Sequence, residues 1–159
     1  MKRFASLVLF TCLLTPPGLV AGEAEVARAL DAFHSAAATG DRDAYFGLMT
    51  DNVVFLGTDA TERWQGQAFR DFVSKHFKNG KGWTYTPTAR HIDMSPDGGW
   101  ALFDELLAHD RLGQCRGSGV LVREGDRWKV AQYNLSVPVP NDIVLDVAER
   151  IRAMGAPAK

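Results

Sequence analysis

The stretch Leu112–Glu124, LGQCRGSGVLVRE, continued through Gly125-Asp126 into Arg127–Pro138, RWKVAQYNLSVP, decides how this chain folds. Two alternating runs joined by a two-residue Gly-Asp connection predict an antiparallel hairpin, with both arms in one sheet. Strict alternation in the second arm puts Trp128, Val130, Gln132, Asn134 and Ser136 on one face, and Lys129, Ala131, Tyr133, Leu135 and Val137 on the other. In the first arm Gln114, Arg116, Ser118, Val120 and Val122 share a face. If the Val122 and Val130 faces are one inward face, then Arg116, Gln114, Gln132 and Asn134 converge behind a rim of Val and Trp. That pattern predicts a pocket rather than a plain core.

Two more strands precede the hairpin, Trp83–Met94 and Trp100–His109, separated by Pro96-Asp97-Gly98-Gly99. Upstream the periodicity changes. Val26, Leu30, Phe33 and Ala37 recur at helical spacing over Glu23–Thr39, with Gly40 as the stop. Asp41 caps a short second helix that buries Tyr45, Leu48 and Met49. A short strand, Asn52–Gly57, leads to a polar loop over Thr58–Arg63 closed by Trp64. A third helix carries Phe69, Phe72, Val73 and His76 on one stripe and ends at Gly80. Helices first and strands afterwards predict an α+β domain, a curved antiparallel sheet wrapped by three N-terminal helices into a cone. Asp142–Met154 has a further helical pattern, in Val144, Val147, Ala148 and Ile151.

The first residues read as a leader. Lys2 and Arg3 precede an apolar run from Phe4 to Leu14, and small residues follow at Ala21 and Gly22, a secretory signal peptide with cleavage expected after Ala21, or alternatively at Ala24. The run is well short of the roughly 20 residues a membrane span needs. The expected divisions are therefore a leader over 1–21, the cone domain over 22–142 and a C-terminal helix and tail over 143–159, in a periplasmic or secreted protein. The 138 residues after the leader suffice for one domain with its own core. They carry 16 basic against 19 acidic side chains, with no basic stripe and no phosphate-binding Gly loop, which argues against nucleic acid. Cys115 would be alone after cleavage, so no internal disulfide is expected. No His/Cys spacing suits zinc, and neither metal nor cofactor is expected.

Taken together, FLGTDATERW at Phe55–Trp64, GWTY at Gly82–Tyr85, FDELL at Phe103–Leu107, CRGSGVL at Cys115–Leu121 and AQYNLSVPVPND at Ala131–Asp142 resemble one family. The chain is similar, from about Ala24 to Asp142, to the SnoaL-like branch of the nuclear transport factor 2-like cone fold. The resemblance implies a curved sheet and helices around a cavity, often paired as a homodimer through the sheet's outer face. It implies little about chemistry, because the fold hosts isomerases, dehydratases, cyclases and binders alike.

Candidate site residues come from the residues themselves. A mid-strand Arg116 facing inward needs a partner, since an unpaired buried charge costs several kcal/mol. Asp104 and Glu105 on the neighbouring strand are the candidates, and alternation allows only one of them inward; the longer reach of Glu105 suits a bridge to Arg116. Such a pair could anchor or ionise a ligand, or could simply fix strand register. Gln132 and Asn134 could orient a ligand carbonyl or satisfy Arg116. Asp59 sits in the mouth loop, where an Asx turn explains it equally well, and Trp64 anchors that loop or lines the pocket. His76 and His34 lie on or beside buried helix faces, where histidine is more often hydrogen-bonded packing than a catalyst. Three functions remain open: an exported domain binding a small-molecule ligand, a cofactor-free isomerase, dehydratase or hydrolase using a carboxylate or His76, and a protein-interaction domain with a filled cone.

Overall fold

The computed structural model describes residues 17–155. The expected leader therefore lies outside the described residues as far as residue 16, as do the last four residues of the tail. Helices α1 (Pro17–Thr39) and α2 (Arg42–Gly47) are followed by strands β1 (Met49–Leu56) and β2 (Arg63–Gln65) and then by helix α3 (Gln67–His76). Then come β3 (Thr86–Met94), β4 (Trp100–His109), β5 (Gly113–Glu124) and β6 (Arg127–Ser136), and finally α4 (Val144–Gly155).

Local chemistry sets the boundaries. Gly40 stops α1 with φ +65°, a left-handed conformation that costs glycine little. Asp41 accepts a hydrogen bond from Ala44 N at 3.0 Å and caps α2. At the turn after β3, Ser95 Oγ donates to Asp97 Oδ1 at 2.6 Å and accepts from Trp100 N at 3.0 Å.

The six strands form one sheet in the order β2-β1-β6-β5-β4-β3. All neighbours are antiparallel except β1 and β6, which run parallel, so the sheet is mixed. Segment Arg63–Gln65, expected at the edge of a loop, adds a short edge strand to β1. Helix α1 lies across the inner face against β3 and β6, and Val26, Leu30, Phe33 and Ala37 bury there as their spacing requires. Each fully buried Val, Leu or Phe contributes roughly 1.5–3 kcal/mol.

The predicted inward face of the hairpin is where structure and sequence part. Val120 pairs with Gln132 but Leu121 pairs with Val130, so Ala131 is an extra residue bulged out of the β6 ladder. Alternation therefore reverses within β6. Trp128 and Val130 are buried before the bulge, and Tyr133 and Leu135 are buried after it. Gln132 and Asn134 consequently lie on the outer face. On β5 the buried residues are Cys115, Gly117 and Leu121, which leaves Arg116 exposed on the outer face as well.

Candidate functional site

Glu105 stands in the middle of β4. Alternation turns Ala101, Phe103, Glu105 and Leu107 inward and leaves Leu102 and Asp104 exposed. The register of the Ser95–Trp100 turn, which pairs Met94 with Ala101, brings Arg90 directly opposite Glu105. On its other side Glu105 pairs with Gly117 of β5, whose missing side chain leaves room above the sheet. Into that room comes Tyr133 of β6, and from the helix layer comes His34, one residue beyond the buried Phe33 of α1.

The carboxylate is thus enclosed by His34, Tyr133 and Arg90 and accepts three hydrogen bonds. Oε1 accepts from His34 Nε2 at 2.5 Å and from the Tyr133 hydroxyl at 3.2 Å. Oε2 accepts from Arg90 Nε at 2.9 Å, and Arg90 Nη2 stands 2.9 Å from the same oxygen without the angle for a further hydrogen bond. Arg90 Nη1 reaches back to α1, donating to Asp31 Oδ1 at 2.7 Å and to Ala27 O at 3.1 Å. Glu105 is 0% exposed and His34 8%. Burial pushes the Glu105 carboxyl up, but His34 and then Arg90 outweigh it and hold it below the ordinary carboxylate range. Burial, with Glu105 adding to it, raises the Tyr133 phenol, which stays a hydrogen-bond donor.

Beside this cluster lies a cavity of about 190 Å³, between α1, α2, α3 and the sheet. His34 and Tyr133 form part of its wall, along with Phe33, Tyr45, Trp64 and Trp83. Phe55 continues the aromatic wall, stacked on Tyr133 at 5.4 Å with 11° between the rings. Glu62 is the only Asp, Glu, Lys or Arg among the described wall residues.

The residues expected from sequence divide. Glu105 faces inward, but its partners are His34 and Arg90 instead of Arg116. Arg116, Gln132, Asn134 and Asp104 all belong to the outer face, Arg116 through the phase of β5 and Gln132 and Asn134 through the Ala131 bulge; Gln132, Asn134 and Asp104 line a shallow outer groove there. Asp59 is exposed in the mouth loop and accepts from Thr61 N at 2.8 Å and Thr61 Oγ1 at 2.6 Å, an Asx turn outside the cavity. Those bonds hold its carboxyl below the ordinary range. Trp64 lines the cavity, stacked 4.2 Å from Phe72. His76 also lines it, from an exposed position, with Nδ1 donating to Phe72 O at 2.8 Å.

Sequence reasoning missed Arg90, Tyr45 and Tyr133, and read His34 as packing. For Arg90 a signal existed: pairing residues outward from the Ser95–Trp100 turn brings position 90 opposite 105. Among the described residues no His/Cys/Asp/Glu group is arranged to hold a metal ion, and no helix is long and apolar enough to cross a membrane.

Comparison with known proteins follows the same lines. A nuclear transport factor 2-like protein of unknown function from Pseudomonas putida KT2440 superposes with a TM-score of 0.64 at 16% identity, over 77% of this chain and 91% of that one. A protein put forward as a dehydratase of that family, from Streptomyces avermitilis, gives 0.64 at 16% identity, over 76% and 99%. One of unknown function from Mycobacterium tuberculosis gives 0.65 at 16% identity, over 89% and 91%. At such identities the likeness establishes the fold alone. No curated protein matches the chain. The family model for the SnoaL-like domain matches residues 26–140, from α1 to the end of the strand region, and the chain belongs to the SnoaL-like family.

Proposed function

We propose that the cavity binds a small molecule and that His34 acts there as a general base, with Glu105 fixing its tautomer and Arg90 keeping Glu105 ionised. The observation that carries this reading is the buried 2.5 Å hydrogen bond between His34 and Glu105 on a ring that forms part of the cavity wall. An ionised carboxylate only accepts hydrogen bonds, so in neutral His34 the proton resides on Nε2 and Nδ1 keeps its lone pair. A proton taken by Nδ1 produces an imidazolium whose charge Glu105 balances, the role of the third member in a catalytic triad.

The chemistry open to such a base is proton transfer without a cofactor. In an isomerisation His34 would return the proton to a second carbon. In a dehydration the C–H electron pair would become the new double bond, the neighbouring C–O bond would break, and the leaving oxygen would take the proton from His34 to depart as water. Deuterium uptake from D2O at the α-carbon of 4-hydroxyacetophenone, followed by NMR, tests the proposal. Wild-type protein should accelerate the exchange and His34→Ala should reduce it by roughly a hundredfold or more. Exchange no faster than in buffer, or equal in His34→Ala, would sink the base assignment.

We further propose that the chain is exported and trimmed after Ala21. Helix α1 would then keep Gly22–Thr39, and with it Val26, Leu30, Phe33, His34 and Ala37. The homodimer implied by the resemblance would use the outer face, where Trp100 and Leu102 are exposed by 43% and 45%.

A further inference from the structure

One carboxylate stands at the mouth of the cavity without a counter-ion. Glu62 is half-buried on the wall, and its side chain packs over Gly57 so closely that a Cβ at position 57 would overlap it. Among the described residues a single hydrogen bond reaches the carboxylate, from Asp59 N to Oε2 at 3.2 Å, and no Lys, Arg or His forms an ion pair with it. That bond needs only an acceptor, which a neutral amide would supply as well. The loop therefore has no use for the charge, and withdrawing an unpaired carboxylate from water has a cost.

The wall beside Glu62 is aromatic. Trp64 stacks on Phe72 at 4.2 Å, Phe72 lies 6.1 Å from Trp83, and all three are half-buried, with ring surface the protein does not cover. Ring faces carry the negative part of the aromatic quadrupole and attract a cation within about 6 Å. The wall histidines add acceptors. His76 donates its Nδ1 hydrogen to Phe72 O, so the neutral ring keeps a lone pair on Nε2, as neutral His34 does on Nδ1.

Resting on the pocket reading above, we infer that the cavity takes a protonated primary amine carrying one aromatic ring, its ammonium held at the mouth between the Glu62 carboxylate and the faces of Trp64, Phe72 and Trp83. Charge decides the class. A carboxylate or phosphate would meet Glu62 with no Lys or Arg on the described wall to receive it. A neutral alcohol would fit but would leave the carboxylate uncompensated. An ammonium brings N–H donors and a positive charge to Glu62, and a cation to the rings. Size limits the body to one ring. A dry apolar cavity of about 150 Å³ holds benzene, and the cavity of about 190 Å³ here adds room for a short side chain. Anchoring the ammonium on the mouth loop leaves the rest of the molecule to reach inward, toward the buried His34.

Isothermal titration of the full chain at neutral pH with tyramine, tyrosol and 4-hydroxyphenylacetate tests this, with Glu62→Gln as the variant. The three share a phenol ring and end in an ammonium, a hydroxyl and a carboxylate. Wild-type protein should bind tyramine about tenfold more tightly than tyrosol, and the anion least. Glu62→Gln, which keeps an acceptor for Asp59 N, should lose most of that preference and bind tyrosol unchanged. Equal affinity of the wild type for tyramine and tyrosol, or a preference undiminished in Glu62→Gln, would overturn the amine inference and leave the pocket standing. Loss of tyrosol along with tyramine in the variant would do the same, because Glu62 would then be holding the loop and not the ligand. Failure of all three compounds to bind wild-type protein at millimolar concentration would overturn the pocket reading and this inference together.

Discussion

Gly117 and Tyr133 occupy one another's space: the hydroxyl of Tyr133 lies where a side chain at Gly117 would begin. A methyl group at position 117 would overlap that hydroxyl and stand 3.0 Å from Glu105 Oε1. The glycine thus makes the Tyr133–Glu105 hydrogen bond possible from two strands away. Gly117→Ala should lower unfolding free energy by about 1–3 kcal/mol, as overpacked cores do. In a Tyr133→Phe background the same change should cost measurably less, a coupling that urea denaturation of the double-mutant cycle would read.

Acid should act on the protein through Glu105. Its folded pKa lies below the ordinary value of 4.5, so the stability it contributes is present above that pH and is lost as pH falls through the folded value. Glu105→Gln should therefore flatten the fall in stability below pH 4.5 while costing roughly 3 kcal/mol at neutral pH, where it leaves Arg90 without its buried partner. Asp59 and Asp97 are depressed as well, but they are present in both proteins, so the difference between the two pH curves isolates Glu105.

Removal of Ala131 should be tolerated, unlike loss of an ordinary strand residue. Because Ala131 is the extra residue, its deletion lets Gln132 follow Val130 directly, and strict alternation then keeps Tyr133 and Leu135 inward and Gln132 and Asn134 outward in an unbulged ladder. We expect the deletion variant to retain a near-ultraviolet circular dichroism signal and cooperative unfolding. Loss of both would refute this account of the register.

Helix α4 contributes no buried residue, with Leu145 78% exposed and Met154 86% exposed. Truncation after Pro140 should therefore change the unfolding free energy of the isolated domain by no more than about 0.5 kcal/mol. Light scattering on the same samples reads the proposed dimer. Leu102→Lys should give monomer through the outer face, and truncation should leave the mass per particle paired.

What the sequence made legible was local. The spacing of Val26, Leu30, Phe33 and Ala37 is enough to place α1, and the Gly125-Asp126 pair is enough to place the β5–β6 turn, because each depends on neighbouring residues. The side to which a hairpin arm faces depends on one inserted residue, and nothing in Ala131 itself distinguishes a bulge from an ordinary strand alanine. The expectation for Gln132 and Asn134 failed there, whereas that for Arg116 failed because the two-residue turn pairs Leu121, not Val122, with Val130. Glu105 was legible as a residue needing a partner, but its partners lie 71 positions earlier on a helix and 15 positions earlier on a strand. Only the helix-to-sheet packing brings His34 to it, and that packing is a property of the assembled fold.

The parallel contact between β1 and β6 governs how the protein can be made. Phe55 has no partner on its β6 side until Tyr133, roughly 80 residues later, has been synthesised, and long loops of this kind must close before their contacts repay them. The edge pair β1–β2 therefore joins the rest of the sheet only through the final strand. The cavity, whose wall takes Phe55 from β1 and Tyr133 from β6, is complete only once those two strands have paired.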